Sequence, residues 1–148
     1  MKISRVICKY RFFILSAVFG IVVLVVITAL FSIDDSTNKM VVEYIEEIGW
    51  EIEESPVEIS HLTIPERFDA VYQSYNALQK QSGLDFEDFK GKRVSRYTYS
   101  VLNHKESPKT KVFAGVFVYE NTIIGGDISS GESSGFMHAI TDTANIQQ

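Results

Sequence analysis

Residues 111–128, KVFAGVFVYENTIIGGDI, decide how this chain folds. In 111–119 the apolar residues recur with a period of two. Phe113, Phe117 and Tyr119 fall on one side, and Val112, Ala114, Val116 and Val118 on the other. A strand that is apolar on both sides suits a central strand of a sheet covered by helices on one side. Glu120-Asn121 reads as a turn, and Thr122–Ile128 as the next strand. Upstream, in 93–103, Tyr97, Tyr99 and Val101 alternate with Arg96, Thr98 and Ser100, which adds a strand on the other side. Strands this close in sequence pair most simply as an antiparallel meander.

Ahead of the meander the period changes to that of helices. In 37–48, Met40, Val41, Tyr44, Ile45 and Ile48 make one apolar stripe, Ser36 or Thr37 can cap the start, and Gly49 suits the left-handed end. Trp50 and Ile52 begin a strand-like stretch that Pro56 interrupts and Val57 and Ile59 resume. Thr63-Ile64-Pro65-Glu66 has the capping-box pattern. It predicts a helix to about Gln81 with Phe68, Val71, Tyr72, Tyr75 and Leu78 on one face, ended by Gly83. The expected architecture is α+β: an antiparallel sheet of about four strands with two helices packed on one face. The expected domain spans 38–140, and 141–148, TDTANIQQ, reads as a flexible tail.

Residues 12–31, FFILSAVFGIVVLVVITALF, carry no charge, and as a helix would be roughly 30 Å long, the thickness of a bilayer core. They read as an uncleaved transmembrane helix. Lys2, Arg5, Lys9 and Arg11 precede the run, which places 1–11 in the cytoplasm and the remainder outside, as a single-pass cell-membrane protein. Residues 32–37 form a short tether. All 19 acids lie after residue 31, against ten Lys and Arg, a net of −9 for that part. That charge disfavours nucleic acid as a partner. The lone Cys8 lies ahead of the apolar run, so the outer part has no disulfide and no thiolate metal site.

No complete catalytic set is visible. Gly131-Glu132-Ser133-Ser134-Gly135 matches the G-x-S-x-G elbow, yet only His138 and Asp142 follow it, in the order opposite to hydrolases. Gly125-Gly126-Asp127 reads as a strand with a glycine bulge, or a backbone that something approaches closely. Glu46, Glu47, Glu51, Glu53, Glu54 and Glu58 form an acidic stretch without calcium-loop spacing. His61, His104 and His138 lack ligand-like spacing, and no metal or cofactor is expected.

The strings IGWEIEESPVEISHLTIPERFDAVYQSYNALQKQSGLDFEDFKGKRVSRYTYSVLN, IIGGDISS and GFMHAI resemble an uncharacterised family of small membrane-anchored domains. Its members come from Gram-positive, Clostridium- and Bacillus-like bacteria. The resemblance covers roughly residues 40–140 and implies an extracytoplasmic domain of unknown function, with no activity attached. Among the polar residues it shares, Asn76, Asp127 and His138 are candidates for a binding site because they sit beside apolar strands. The expected function is a non-catalytic extracytoplasmic module that binds a protein, peptide or envelope component. The alternative is a small hydrolase or metal-dependent enzyme built from Asp127, Ser133 and His138.

Overall fold

The computed structural model describes residues 19–24, 36–132 and 134–147. Residues 38–148 form one compact unit. Its sheet has five antiparallel strands in the order β1-β2-β3-β4-β5. These are β1 Glu58–Thr63, β2 Arg93–Ser100, β3 Val112–Tyr119, β4 Thr122–Ser130 and β5 Met137–Ala139. Helix α1 runs over 36–48 and helix α2 over Ala70–Gln81.

Strands β2 to β4 lie where the alternation places them. The β3–β4 turn is the two-residue Glu120-Asn121, at φ 45° and 62°. Two positive φ values in succession make the tight turn whose twist matches a hairpin. Both helices stop in the same way. Gly49 and Gly83 take positive φ, at 109° and 73°. The Trp50 and Leu84 N–H groups then reach back to Ile45 O and Gln79 O, and those of Gly49 and Gly83 to Glu46 O and Lys80 O. This pairing satisfies carbonyls that a helix end otherwise leaves bare.

The expected layering is corrected in three respects. First, the sheet has five strands, because the three-residue β5 pairs Asp127, Ile128 and Ser129 with Ala139, His138 and Met137. Second, the two helices cover opposite faces. Val41 and Ile45 of α1 share a core with Trp50, Tyr97, Tyr99, Val116, Ile128 and Ile140. Tyr72 and Tyr75 of α2 pack with Phe86, Val94, Phe117 and Ile124, side chains from the other side of the same strands. An amphipathic stripe shows that a helix is buried but not against which face. Third, no helix among the described residues is long and apolar enough to cross a membrane. The expected transmembrane helix is therefore not supported as an element of this fold. Residues 19–24 are helical and exposed, and the other positions of 12–31 lie outside the described residues.

Two boundaries also differ. Helix α2 begins seven residues after Thr63, at Ala70, capped by Asp69, whose carboxyl accepts the Tyr72 N–H at 2.8 Å. Thr63 is held in β1 opposite Arg93, and Ile64 donates to Lys92 O at 2.9 Å, so the capping-box pattern is spent on the sheet. The end of the chain is tied in: Ile146 bridges His104, and Gln147 N–H donates to Asn103 O at 2.8 Å.

The ladder between β3 and β4 shifts at Phe117/Val118. Val118 faces Ile123 and Phe117 faces Gly125, so Ile124 is an extra residue. This β-bulge reverses the alternation beyond it. Ile124 and Asp127 look toward α2, and Ile128 toward α1.

Candidate functional site

Asp127 is fully buried. Its Oδ2 accepts a 2.6 Å hydrogen bond from the Tyr75 hydroxyl of α2 and lies 3.4 Å from Arg96 Nη2 of β2. Arg96 crosses β3 to reach it, stacked 5.4 Å above the Phe117 ring. Gly115 permits the crossing, because a Cβ there would lie 2.4 Å from Arg96 Nη2. Burial, then the charge of Asp127 and the hydrogen bond to it, push the Tyr75 hydroxyl well above its ordinary range, so it stays a donor. The triad joins helix and sheet, and its carboxyl is closed to solvent.

Asn76 is a buried fastener. Its Oδ1 accepts the Phe86 N–H at 2.8 Å and its Nδ2 donates to Asp85 Oδ1 at 2.8 Å. Burial pulls the Asp85 carboxyl upward, but hydrogen bonds from Asn76, the Glu87 N–H and Lys80 outweigh it and hold the group below its ordinary value. The result is a loop that presses Phe86 onto Gly125, where a Cβ would lie 2.4 Å from the Phe86 ring. Next to it, Gln79 Oε1 accepts the Gly126 N–H at 2.6 Å. The Gly125-Gly126 pair is thus approached closely by the chain's own side chains.

His138 stands on the other face, paired with Ile128. It joins a group of flat rings that no spacing in the sequence announces. His104 is sandwiched between Trp50, at 5.8 Å and 24°, and Phe136, at 4.7 Å and 16°. His138 stacks beside it at 5.6 Å and 22°. The Trp50 indole N–H donates to Ile140 O at 2.7 Å, so its one polar atom is satisfied.

The hydrogen bonds assign the tautomers. Glu106 N–H donates to His104 Nδ1 at 3.1 Å, so that nitrogen is bare and the proton sits on Nε2. His104 Nε2–H then points at His138 Nε2, 3.4 Å away, and His138 Nδ1–H donates to Ala139 O at 3.0 Å. With Nδ1 engaged as an acceptor, His104 is the neutral imidazole in this chain of bonds. Burial first, then the nearness of His138 and Lys105, lowers the pKa of His104.

A metal does not suit the pair. A ligating imidazole donates its other N–H to a neighbour, whereas His104 accepts there. Among the described residues no group of three or more His, Cys, Asp or Glu is placed to hold a metal ion.

Beside this stack opens a cleft of about 410 Å3 lined by His104, Phe136 and His138, with Lys105, Glu106, Glu132 and Asn145 among its polar groups. A volume of this order accommodates a small organic ligand. The structure does not bring the three candidate residues together. Asp127 and His138 come from opposite sides of adjacent strands, Asn76 is engaged in α2, and Ser133 lies outside the described residues. Sequence reasoning missed Trp50, His104 and Phe136 as partners of His138. The only available signal was the glycine-flanked GESSG stretch, whose Glu132 and Gly135 border the cleft.

Fold and site together define a small domain with one helix on each face of a five-stranded meander and a ligand-sized cleft beside an imidazole stack. The chain belongs to the family described as Domain of unknown function (DUF4830), whose model matches residues 44–128. No curated protein and no solved structure matches the chain.

Proposed function

We propose that this domain is a non-catalytic binding module, and that a peptide-like ligand carrying a planar or aromatic group seats in the cleft against Phe136. The observation that carries this reading is the exposure of one ring of a rigid stack. Phe136 is half-buried, and the fixed His104 ring lies 4.7 Å behind it. A flat group laid on Phe136 adds a layer to an ordered column, a contact worth about 0.5–1.5 kcal/mol beyond its area. Lys105, Glu106, Glu132 and Asn145 offer both charges and an amide to orient the polar part of a peptide.

The reading is tested by NMR titration of the full chain with tyrosine- and tryptophan-containing dipeptides. The expected result is shift changes at Lys105, Phe136, His138 and Asn145, and their loss in Phe136→Ala. Unchanged affinity in Phe136→Ala overturns the assignment of the site. Turnover of a ligand that is abolished by His138→Ala overturns the non-catalytic reading.

A further inference from the structure

The two edges of the sheet are treated differently. On the β5 side the chain uses its own groups. Gly126 N–H goes to Gln79, Ser130 N–H to Phe136 O and Asp142 N–H to Ala139 O. On the β1 side, no strand among the described residues pairs outside β1. The bond from Ile64 N–H to Lys92 O fixes the phase of the β1–β2 ladder, with Ile64 and alternate residues back to Glu58 turned inward. In an antiparallel ladder the intervening residues turn their N–H and C=O groups away from the partner. Those residues are Ile59, His61 and Thr63. Among the described residues no hydrogen bond reaches their outward backbone groups. The His61 ring bonds Ser95 Oγ at 3.0 Å, which leaves its backbone untouched.

Natural sheets blunt an open edge with proline, lysine, bulges or very short strands. Strand β1 has six residues and none of these devices. Val57 and Ile59, exposed by 52% and 39%, offer apolar surface beside it. Around its start stand Glu51, Glu53, Glu54 and Glu58, all exposed, and none in an ion pair among the described residues. The far end is electrically mixed, with Glu66, Arg67, Lys92 and Arg93.

We propose that β1 receives an extended, basic segment of a partner protein as a sixth strand. The added strand runs antiparallel to β1, like every other pair in the sheet. Its C-terminal half then lies beside Glu53, Glu54 and Glu58, and carries Lys or Arg. Backbone bonds to Ile59, His61 and Thr63 supply affinity, and the carboxylates select the sequence. Charge decides between this occupant and a second copy of the chain. Residues 32–148 carry a net −9, so two copies repel where a basic strand is attracted. This surface is separate from the cleft at Phe136, and the two readings fail independently.

The test uses the full chain and a synthetic peptide of about eight residues, alternating valine and threonine with lysines in its C-terminal half. Hydrogen exchange and isothermal titration are measured for wild type, His61→Ala and His61→Pro. Both variants lose the ring bond to Ser95, and only proline also deletes the outward N–H. The expected result is slowed exchange at Ile59, His61 and Thr63, binding by His61→Ala as by wild type, and affinity at least about tenfold weaker in His61→Pro. The combined variant Glu53→Gln, Glu54→Gln, Glu58→Gln alters exposed positions only and decides the matter if the proline variant does not fold. It is expected to weaken binding and flatten its salt dependence. The proposal is overturned if wild type does not bind, if His61→Pro and the glutamine variant bind undiminished, or if a glutamate-ended peptide binds equally well. It is also overturned if sedimentation shows a β1-paired dimer that the peptide does not dissociate.

Discussion

Replacing Tyr75 by phenylalanine isolates one hydrogen bond in a buried setting. The ring keeps its neighbours, Phe86 at 5.8 Å and Phe117 at 6.1 Å, so little packing is lost. What disappears is the 2.6 Å bond to Asp127, a group with no solvent contact. Its Oδ2 is left with Arg96 at 3.4 Å, too long for a strong bond. Removing one partner of a buried polar group costs about 1–3 kcal/mol. For a domain of this size that lowers Tm by roughly 5–15 °C. Urea unfolding of wild type, Tyr75→Phe, Asp127→Ala and the double variant measures the coupling. The expected coupling is about 1 kcal/mol or more. Equal destabilisation by Tyr75→Phe in the presence and absence of the Asp127 carboxyl would refute the reasoning, since the effect would then belong to the ring.

Three further outcomes are expected. Gly125→Ala destabilises by about 1–3 kcal/mol in chemical denaturation. It costs more than Gly115→Ala, because its Cβ meets the buried Phe86 ring, whereas at Gly115 it meets the far end of Arg96, which can move. Gln79→Leu strands the Gly126 N–H, costing about 1–3 kcal/mol, and amide exchange at Gly126 accelerates. Acidification destabilises the fold through His104. Its folded-state pKa lies below the ordinary 6.5, so the unfolded chain binds the proton first. Stability then falls as pH drops through about 6.5 toward the folded value, and His104→Phe, which retains a flat ring, shows a shallower acid limb in thermal melts.

Much of the sheet is legible in the sequence because β2 and β3 alternate cleanly and the Glu120-Asn121 turn separates β3 from β4. Helix α1 is legible for the same reason, its stripe ending at a glycine. The start of α2 is not, because Thr63-Ile64 satisfies two patterns and tertiary pairing with β2 decides between them. Strand β5 is three residues long, below any periodic signal. Asp127 announces itself as a polar residue in an apolar strand, but its partners Tyr75 and Arg96 arrive from distant segments. The imidazole stack is the least legible feature. His104 and His138 meet only because β5 pairs with β4 and the chain end returns to bridge His104.

The spare residue at Ile124 has a consequence for how this strand can change length. With the bulge present, Asp127 lies under Arg96 and Ile128 lies against the Trp50 side. A chain shortened by one residue at Ile124 has a straight ladder and keeps both assignments, so the two lengths are interchangeable. A chain lengthened by one residue between Thr122 and Asp127, within β4 itself, has no such outlet. It must make a second bulge or exchange a carboxyl for an isoleucine across the sheet. Any gap needed to align this strand with a shorter relative therefore belongs at Ile124, and an insertion belongs in the turn at Glu120-Asn121.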